Sequence, residues 1–463
     1  MALIRYGATL ALASWAFVSV QQAVPAPYLD EIFHIPQTLQ YYNGNWKHWD
    51  PKITTPPGLY GLGAAYCQAT KFLSPYIGPY IDPYIDVDSE CSVASLRFLN
   101  LIGVTIVVPL AVKLMGKSTS TATAVATFPL LAFFGLLYYT DVWSTAAILI
   151  SLALVPGYKS KNGANENPAN GLRHVLSALV ALAAVFFRQT NVVWAAVVAV
   201  YAASPRKVTT RLSVMEDFVH LIQRLIASPS VVIPFGLIGV LFAAFVFHNG
   251  SIALGDKSNH VAGVNIPQLL YFSLFFGLFS WPLWLTPTFI RRYIQYNFGS
   301  PIRAVGYLLG VGAIAAAIDR FTIVHPFLLA DNRHYTFYLW RRLIAPVWGP
   351  SCVQTYGKFA LVPVYHALVW TFLTTLFYAS TASFALSTAV LGATVLTLVP
   401  SPLLEPRYYI VPYIMWRLQQ QRPSKTKEWM EWAWYMAINV GTVLVFVKYE
   451  FEWPGQGMMR FMW

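Results

Sequence analysis

Long apolar runs separated by short polar stretches make up most of this chain. The first run covers residues 6–24, close to the ~20 residues that a membrane-spanning helix needs. Further runs lie near residues 95–115, 121–139, 142–156, 172–188, 191–204, 230–248, 268–290, 302–319, 359–379, 383–400, 407–417 and 430–448. The pattern predicts an all-α polytopic membrane protein with about 12–14 transmembrane helices. A cleaved signal peptide is the alternative for the first run, but its length and the many runs that follow favour a retained span.

Composition supports the membrane class. Hydrophobic residues make up 57% of the 463 positions and charged residues 11%, far below the usual soluble value of about a quarter. The formal charge of +12 could indicate nucleic acid, but the basic residues lie mostly in short loops between apolar runs. Cys67, Cys91 and Cys352 lack the spacing of a zinc or redox site. A Cys67–Cys91 disulfide is open if both residues face an oxidising compartment.

The basic loops predict an orientation, because such loops stay on the cytoplasmic side. With Arg5 inside, the polar segment 25–94 lies outside, and so does the Asn249-Gly250-Ser251 glycosylation sequon. The Asn-rich linker 157–172 falls on the cytoplasmic side, and no internal repeat divides the chain, so a single domain over 1–463 is expected. The basic residues assigned to the cytoplasmic side are Lys113/Lys117, Lys159/Lys161/Arg173, Arg206/Lys207/Arg211/Arg224, Arg291/Arg292 and Arg422/Lys425/Lys427.

The first outer segment begins with an acid pair, Asp30 and Glu31. Helical spacing would place Asp30, His34, Gln37 and Tyr41 on one face, although a proline at position 36 weakens a regular helix there. One interpretation is an interfacial amphipathic helix whose acids are solvated. The other is that an acid just outside the membrane serves as a general base.

Several ordered stretches carry a family resemblance. They are PYLDEIFHIPQ, WDPKITTPPGLY, RFLNL, FPLLAFFGLLYYTD, FRQTNVVWA, LLADNRHYTFYLWRR, LLEPRYYIVPY and RFMW, spread over residues 24–463. Together they resemble the eukaryotic dolichyl-phosphate-glucose alpha-1,2-glucosyltransferases. The resemblance implies a GT-C glycosyltransferase fold in the endoplasmic reticulum membrane, with 25–94 and 320–358 as luminal loops. It implies dolichyl phosphate glucose as donor and diglucosylated Man9GlcNAc2-diphosphodolichol as acceptor.

The implied reaction inverts the anomeric centre, because the donor sugar is beta-linked and the product alpha-linked. Inversion needs one carboxylate base, and a phosphate leaves without a general acid. The resemblance points to Asp30 as this base, with Glu31 orienting a sugar hydroxyl or holding the loop. Glu31 stays open as the alternative base, and Asp141 is a further candidate unless it is a solvated loop acid. His34 is a candidate acceptor contact, with a structural role as the alternative.

The donor phosphate requires cations, which arginine supplies with a planar fork. Arg333, His334, Arg341 and Arg342 lie in an outer loop, against the usual distribution of basic residues, which favours an anionic ligand. The alternative is that 335–350 is a span that carries the latter two to the cytoplasm.

Two more arginines, Arg188 and Arg407, lie at the ends of apolar runs. They are candidate substrate ligands, with snorkelling towards the membrane surface as the ordinary alternative. No resident cofactor is expected, and a metal is not required if arginines neutralise the phosphate.

Two rival classes share much of this pattern. A mannosyltransferase that uses a dolichyl phosphate sugar would have the same loop acid and a different sugar pocket. A transporter would also be polytopic, but its charges should lie within spans near the middle of the bilayer, whereas here they cluster in loops.

Overall fold

The computed structural model describes residues 2–81, 91–155, 168–204, 213–257, 261–453, 455 and 457–463. The expected linker 157–172 falls largely outside this described part, because its residues 157–167 are not included. Helices dominate the remainder, as the long apolar runs predict. The all-α polytopic class is therefore confirmed.

Most predicted runs coincide with helices, but segments between the runs are helical as well. The first part of the chain forms α1 (Ala2–Ala23), α2 (Glu31–Tyr42), α3 (Gly58–Ile81), α4 (Val93–Ile102), α5 (Val108–Leu114), α6 (Thr119–Ala126), α7 (Pro129–Phe134), α8 (Thr140–Leu154), α9 (Pro168–Phe187), α10 (Asn191–Ala203), α11 (Val214–Ile226) and α12 (Pro229–Asn249). The second part forms α13 (Pro267–Trp284), α14 (Pro287–Phe298), α15 (Pro301–Phe321), α16 (Pro326–Ala330), α17 (Tyr335–Leu339), α18 (Ser351–Tyr356), α19 (Val362–Phe377), α20 (Phe384–Leu398), α21 (Ile410–Gln419) and α22 (Lys425–Lys448).

Local chemistry explains where these helices begin. Proline opens α12, α13, α14 and α15, since its missing N–H is one that the first turn leaves unbonded anyway. Ser92 and Ser118 cap α4 and α6 by accepting hydrogen bonds from backbone N–H groups of the first turn. Gly250 ends α12 with φ 69°, a left-handed conformation that suits glycine.

Seven helical segments of the described chain are long and apolar enough to cross a membrane. Three shorter apolar helices, α8, α10 and α20, accompany them. The predicted run 121–139 is broken into α6 and α7, which explains part of the gap between the long segments and the larger expected number. The run 95–115 is continuous, because a π-helical turn at Gly103–Val107 joins α4 to α5.

The chain divides into two compact units. The first comprises Met1–His260, Ala382–Ala389 and Met436–Val447, and the second Val261–Thr381, Val390–Tyr435 and Lys448–Trp463. The single domain expected over 1–463 stays a prediction.

In the first unit, segments predicted to lie outside the membrane meet one another. Thr54 O accepts hydrogen bonds from Leu254 N at 3.2 Å and from Gln189 Nε2 at 2.7 Å. Predicted cytoplasmic segments meet as well, since Arg5 Nη2 donates to Ser120 Oγ at 2.6 Å. These contacts agree with the sides assigned from the basic loops.

The loops of the second unit separate in the same way. At the start of α13, Asn265 N donates to Val399 O at 2.9 Å, which joins two predicted outer segments. At its end, Lys427 Nζ donates to Leu283 O at 2.6 Å. The two basic loops that contain Arg291/Arg292 and Arg422/Lys425/Lys427 therefore lie near the same end of α13.

A short antiparallel hairpin follows α22. Its strands are β1 (Glu450–Trp453) and β2 (Gly457–Arg460), with Glu450 opposite Arg460 and Trp453 opposite Gly457. Arg460 Nη2 and Glu450 Oε2 form an ion pair at 2.7 Å across the hairpin.

Candidate active site

The acid pair lies between α1 and α2, and its two members have different surroundings. Glu31 is fully buried, with Arg97 Nε donating to its Oε1 at 2.9 Å and Arg97 Nη2 to its Oε2 at 2.5 Å. The backbone N–H of Tyr28 donates to Oε2 at 2.9 Å, and that of Tyr138 to Oε1 at 2.6 Å. Glu31 therefore accepts four hydrogen bonds, so the solvated-acid interpretation is wrong for this residue.

Arg97 extends this buried pair to the end of α1. Its Nη1 donates to Val24 O at 2.6 Å, and its Nη2 to Ala26 O at 3.0 Å. One ion pair thus fixes α1, α2 and α4 to one another. Of the two auxiliary roles considered for Glu31, the geometry favours holding the loop, because both oxygens already have donors.

Asp30 is partly exposed and is held by its backbone. Its N–H donates to the Tyr139 hydroxyl at 3.3 Å. The preceding Leu29 has φ 52°, a left-handed conformation that is costly for a branched side chain. Backbone strain of this kind persists only where surrounding contacts fix the conformation, and it is concentrated at functional sites. Here, the hydrogen bonds of Tyr28 and Asp30 provide those contacts.

His34 lies one turn further along α2, in an aromatic cluster. Its Nδ1 is 2.9 Å from the Tyr60 hydroxyl, and its ring meets Tyr139 edge-on at 5.9 Å. Burial raises the pKa of Tyr60, a hydrogen bond with Thr55 lowers it, and the nearby charge of Asp30 raises it further. Tyr60 therefore keeps its proton near neutral pH and can donate it to His34.

The predicted polar face of α2 is confirmed, but it packs against protein. His34, Gln37 and Tyr41 are all buried, and α2 continues through Pro36 as one helix. Gln37 Nε2 donates to His48 O at 2.9 Å. The first loop therefore folds back over this face.

The turn before α8 supplies the other wall of the site. Asn100 Nδ2 donates to Leu137 O at 2.7 Å and to Tyr139 O at 2.8 Å, which fixes the turn to α4. The Tyr138 hydroxyl donates to Leu59 O at 2.8 Å. Gly63 lies against that hydroxyl so closely that an added Cβ would overlap it.

Asp141 and Arg188 form an ion pair beside this turn. Arg188 Nη2 is 2.9 Å from Asp141 Oδ1, and its Nε donates to Thr140 Oγ1 at 3.2 Å. Asp141 is buried, so the interpretation of a solvated loop acid is wrong for it. Arg188 is held by a carboxylate, which makes snorkelling unnecessary as an explanation, and its side chain remains 14% exposed.

The second unit contains the other arginines, and Arg333 is already engaged. Its Nε and Nη2 donate to the two oxygens of Asp331, at 2.8 and 2.7 Å, and its guanidinium lies 4.9 Å from the ring of Trp453. Burial raises the pKa of Asp331, but hydrogen bonds from Arg333 and the charge of His334 outweigh this and lower it overall. An anion would have to share Arg333 with Asp331.

The segment after β2 fixes the loop that contains Arg333 and His334, here called the arginine loop. Met462 N donates to Arg333 O at 2.9 Å, and Tyr335 N donates to Met462 O at 2.9 Å. His334 Nδ1 is 2.8 Å from Trp463 O. The Trp463 ring packs edge-on against Tyr335 at 5.1 Å. The position of the Arg333–His334 pair thus depends on residues 462–463.

Arg341 and Arg342 occupy a π-helical turn, Trp340–Ile344, directly after α17. Together α17 and this turn have ten residues, too few to cross a bilayer, so the alternative of a span over 335–350 is not supported. Both arginines are exposed, over Phe337 and Tyr338 respectively. They line an open hollow of about 530 Å³ with Val347 and Trp348.

Arg407 lies in a 3₁₀ turn, Pro406–Tyr409, before α21, and its Nε is paired with Glu405 Oε2 at 2.5 Å. The pair is partly exposed. Like Arg188, Arg407 has a carboxylate partner, so snorkelling is not needed to explain its position at the end of an apolar run.

Two features of the first unit bear on its location. Cys67 and Cys91 form a disulfide with their Cα atoms 5.2 Å apart, so the pairing left open above is the one observed. Asn249 Nδ2 donates to Ser251 O at 2.8 Å and to Ala253 O at 2.9 Å, so the sequon folds as a compact turn after α12.

Sequence reasoning missed Arg97, Asn100, Asp331 and the tyrosines that complete these sites. Arg97 stands inside a predicted apolar run, and a charge in that position requires a partner, which was an available signal. Within the described part of the chain, no group of three or more His, Cys, Asp or Glu residues is arranged to hold a metal ion.

Comparisons with known proteins extend over almost the whole chain. The sequence profile of the DIE2/ALG10 family matches residues 24–418. A Yarrowia lipolytica relative named Dol-P-Glc:Glc(2)Man(9)GlcNAc(2)-PP-Dol alpha-1,2-glucosyltransferase is 36% identical, covering 98% of this chain and 97% of its own. Relatives with the same name in Arabidopsis thaliana and Homo sapiens are 32% and 31% identical, each covering 96% of this chain and, in turn, 96% and 95% of their own.

Solved structures give a more distant likeness. The apo oligosaccharyltransferase of Archaeoglobus fulgidus is 14% identical, with a TM-score of 0.37, covering 94% of this chain and 54% of that one. Its complex with an inhibitory peptide and a dolichol-phosphate has a TM-score of 0.36. Scores this low do not define the fold of the present chain.

Proposed function

The chain belongs to the DIE2/ALG10 family, and we propose that it transfers glucose from dolichyl phosphate glucose to Glc(2)Man(9)GlcNAc(2)-PP-dolichol in alpha-1,2 linkage. The observation that carries this proposal is the family match over residues 24–418 together with full-length relatives of one name in fungi, a plant and an animal. The shared name favours a glucosyl donor over a mannosyl one.

Asp30 is the general base of this proposal. The acceptor hydroxyl attacks the anomeric carbon, the bond from that carbon to the phosphate oxygen breaks, dolichyl phosphate leaves, and the hydroxyl proton passes to the Asp30 carboxylate. Its partial exposure supports this choice over Glu31, whose oxygens are enclosed by Arg97 and two backbone N–H groups. The fixed backbone of Asp30 would keep the carboxylate in place while the substrate binds.

The neighbouring groups contact the sugars. His34 is oriented by Tyr60, and its ring lies against Tyr139, whose hydroxyl binds the Asp30 backbone. Arg188 presents its exposed edge to a sugar hydroxyl, and Asp141 holds it there.

The lipid phosphate is assigned to the second unit. Arg341 and Arg342 are exposed and line a hollow whose aromatic walls suit an apolar lipid chain. Arg333, His334 and Arg407 contribute further positive charge, although both arginines are shared with carboxylates. With guanidinium groups to neutralise the leaving phosphate, the reaction needs no metal.

The site faces the lumen of the endoplasmic reticulum in this proposal. The Cys67–Cys91 disulfide supports it, because disulfides persist in that oxidising compartment and the bond lies in the same segment as Asp30. The Asn249 sequon lies in the loop that meets this segment at Thr54, so both should be on the glycosylated side.

A reconstituted assay tests the proposal. Purified protein in liposomes is offered dolichyl phosphate glucose or dolichyl phosphate mannose with a synthetic diglucosylated acceptor. Only the glucosyl donor should be consumed, the product should be cleaved by an alpha-1,2-specific glucosidase, and EDTA should not change the rate. Use of the mannosyl donor instead would overturn the assignment.

The base is tested in the same assay. Asp30→Asn should lower turnover by about 10²–10⁴ with donor affinity nearly unchanged, since the amide cannot accept the proton. Asp50→Asn is the matched control, because Asp50 is another partly exposed carboxylate of the same segment. Near-normal turnover of Asp30→Asn would exclude it as the base.

A further inference from the structure

A basic pocket lies at the opposite end of the second unit from the arginine loop. It has a volume of about 420 Å³ and forms where α13 ends, α14 begins and α21 leads into α22. Among the residues that the structure describes, three cationic side chains line it, Arg292, Arg422 and Lys427, and no acidic side chain does. None of the proposed donor or acceptor residues belongs to this pocket.

The pocket is built on fixed side chains. Trp416 Nε1 donates to Thr375 Oγ1 at 2.9 Å at its buried floor. Lys427 Nζ donates to Leu283 O at 2.6 Å, which joins the start of α22 to the end of α13. The rim of the pocket therefore includes the end of α13 and the start of α22, which this hydrogen bond joins.

The three cations differ in how far they are neutralised. Arg422 pairs with the buried Glu428 at 3.0 Å, so it carries less net charge towards a ligand. Arg292 is exposed and has no acidic partner within the described chain. Ser424, Thr288 and Gln421 add side chains that can hydrogen-bond to phosphate oxygens.

The position of the pocket identifies its ligand. It lies where α13 and α22 reach the face on which two basic loops gather, which the charge pattern predicts to be cytoplasmic. Trp284 and Phe289 line one wall, and aromatic residues are typical of the level of lipid headgroups. Basic pockets between transmembrane helices on this side suit anionic headgroups. We propose that this pocket binds the phosphate of an anionic phospholipid from the cytoplasmic leaflet.

The neighbouring residues provide matched controls. Arg291 adjoins Arg292 and is exposed but does not line the pocket. Lys425 lies between Arg422 and Lys427 in the sequence and is also exposed without lining the pocket. Arg292→Gln and Arg291→Gln change the net charge equally, so a difference within this pair reports the pocket itself. Arg422→Gln and Lys425→Gln also change the charge equally, but Arg422→Gln breaks the pair with Glu428 as well.

The full-length protein is placed in nanodiscs of phosphatidylcholine alone or with phosphatidylinositol, and native mass spectrometry measures the lipid that it retains. Phosphatidylinositol should be retained preferentially. Arg292→Gln should weaken retention by about fivefold, the fold-change for about 1 kcal/mol per basic residue, and Arg422→Gln by less because Glu428 offsets its charge, while the two controls stay near wild type. Thermal unfolding of each variant in phosphatidylcholine alone checks its folding.

Three results would overturn the proposal. One is the absence of a preference for phosphatidylinositol, and the second is equal losses in the pocket and control variants. The third is displacement of the lipid by inorganic phosphate at comparable concentration, which would assign the pocket to a soluble anion.

Discussion

Glu31→Gln should destabilise the first unit by about 3–5 kcal/mol, the usual cost of removing one partner from a buried ion pair. The amide keeps one acceptor oxygen but turns the other into a donor. If that donor replaces Oε2, it faces Arg97 Nη2 and the Tyr28 N–H, so two hydrogen bonds to a charged acceptor are lost together. Hydrogen bonds to charged groups contribute about 1.5–3 kcal/mol each, so these losses account for the expected destabilisation.

The assay is unfolding in mixed detergent micelles, under conditions where refolding is complete, followed by tryptophan fluorescence. A double-mutant cycle with Arg97→Gln isolates the pair. We expect the double variant to be more stable than the sum of the single changes predicts, by about 1–3 kcal/mol, because neither leaves a lone buried charge.

Asp319→Asn is the matched control. Asp319 pairs with Lys358 at 2.8 Å, but both side chains are exposed, so its loss should change the stability little. A Glu31→Gln variant as stable as this control, or strictly additive single and double variants, would refute the structural role assigned to the pair.

Three further changes have defined outcomes. Arg333→Ala should raise the donor KM strongly in the reconstituted assay, and Arg333→Lys should restore it poorly, because an ammonium cannot replace the planar guanidinium that lies between Asp331 and Trp453. A wild-type KM would show that Arg333 is not part of the phosphate site. Gly63→Ala should cost about 1–3 kcal/mol by displacing the Tyr138 hydroxyl, whereas Gly61→Ala, with open space around it, should be near neutral in the same unfolding assay. Endoglycosidase should increase the gel mobility of the protein and Asn249→Gln should abolish that shift; labelling of a cysteine introduced at position 256 from the cytoplasm would show that the orientation is wrong.

Many of the helices could be predicted because they depend on short-range patterns. A run of about twenty apolar residues forms a helix wherever it stands, and basic loops sort to one side independently of tertiary packing. The contacts of Thr54 with Gln189 and Leu254 agree with that sorting. The face of α2 was predictable for the same reason, since it follows from spacing alone.

The ion pairs could not be predicted because their partners are far apart in sequence. Glu31 and Arg97 are separated by 66 residues. No local pattern specifies which of several loop charges will meet. Arg333 is different, because its carboxylate partner Asp331 is only two residues away and sequence reasoning did not consider it.

The contact between His34 and Tyr60 could not be predicted from the sequence for another reason. Both lie in the first polar segment, yet a histidine near a membrane has many possible partners, and only the fold of α2 on α3 selects the tyrosine. Whether Asp30 is the base likewise depends on its accessibility, which no spacing rule provides.

The docking of residues 462–463 onto the arginine loop has a consequence for biosynthesis. His334 and Trp463 are 129 residues apart, so the ribosome needs roughly 6–26 s to make the intervening chain at about 5–20 residues per second. During that interval Arg333 and His334 are already made but lack the backbone partners that hold them. The loop therefore cannot complete these contacts until the segment after α22 has been made. A nascent chain paused before that point would expose an incomplete surface to chaperones, although its earlier spans were already inserted.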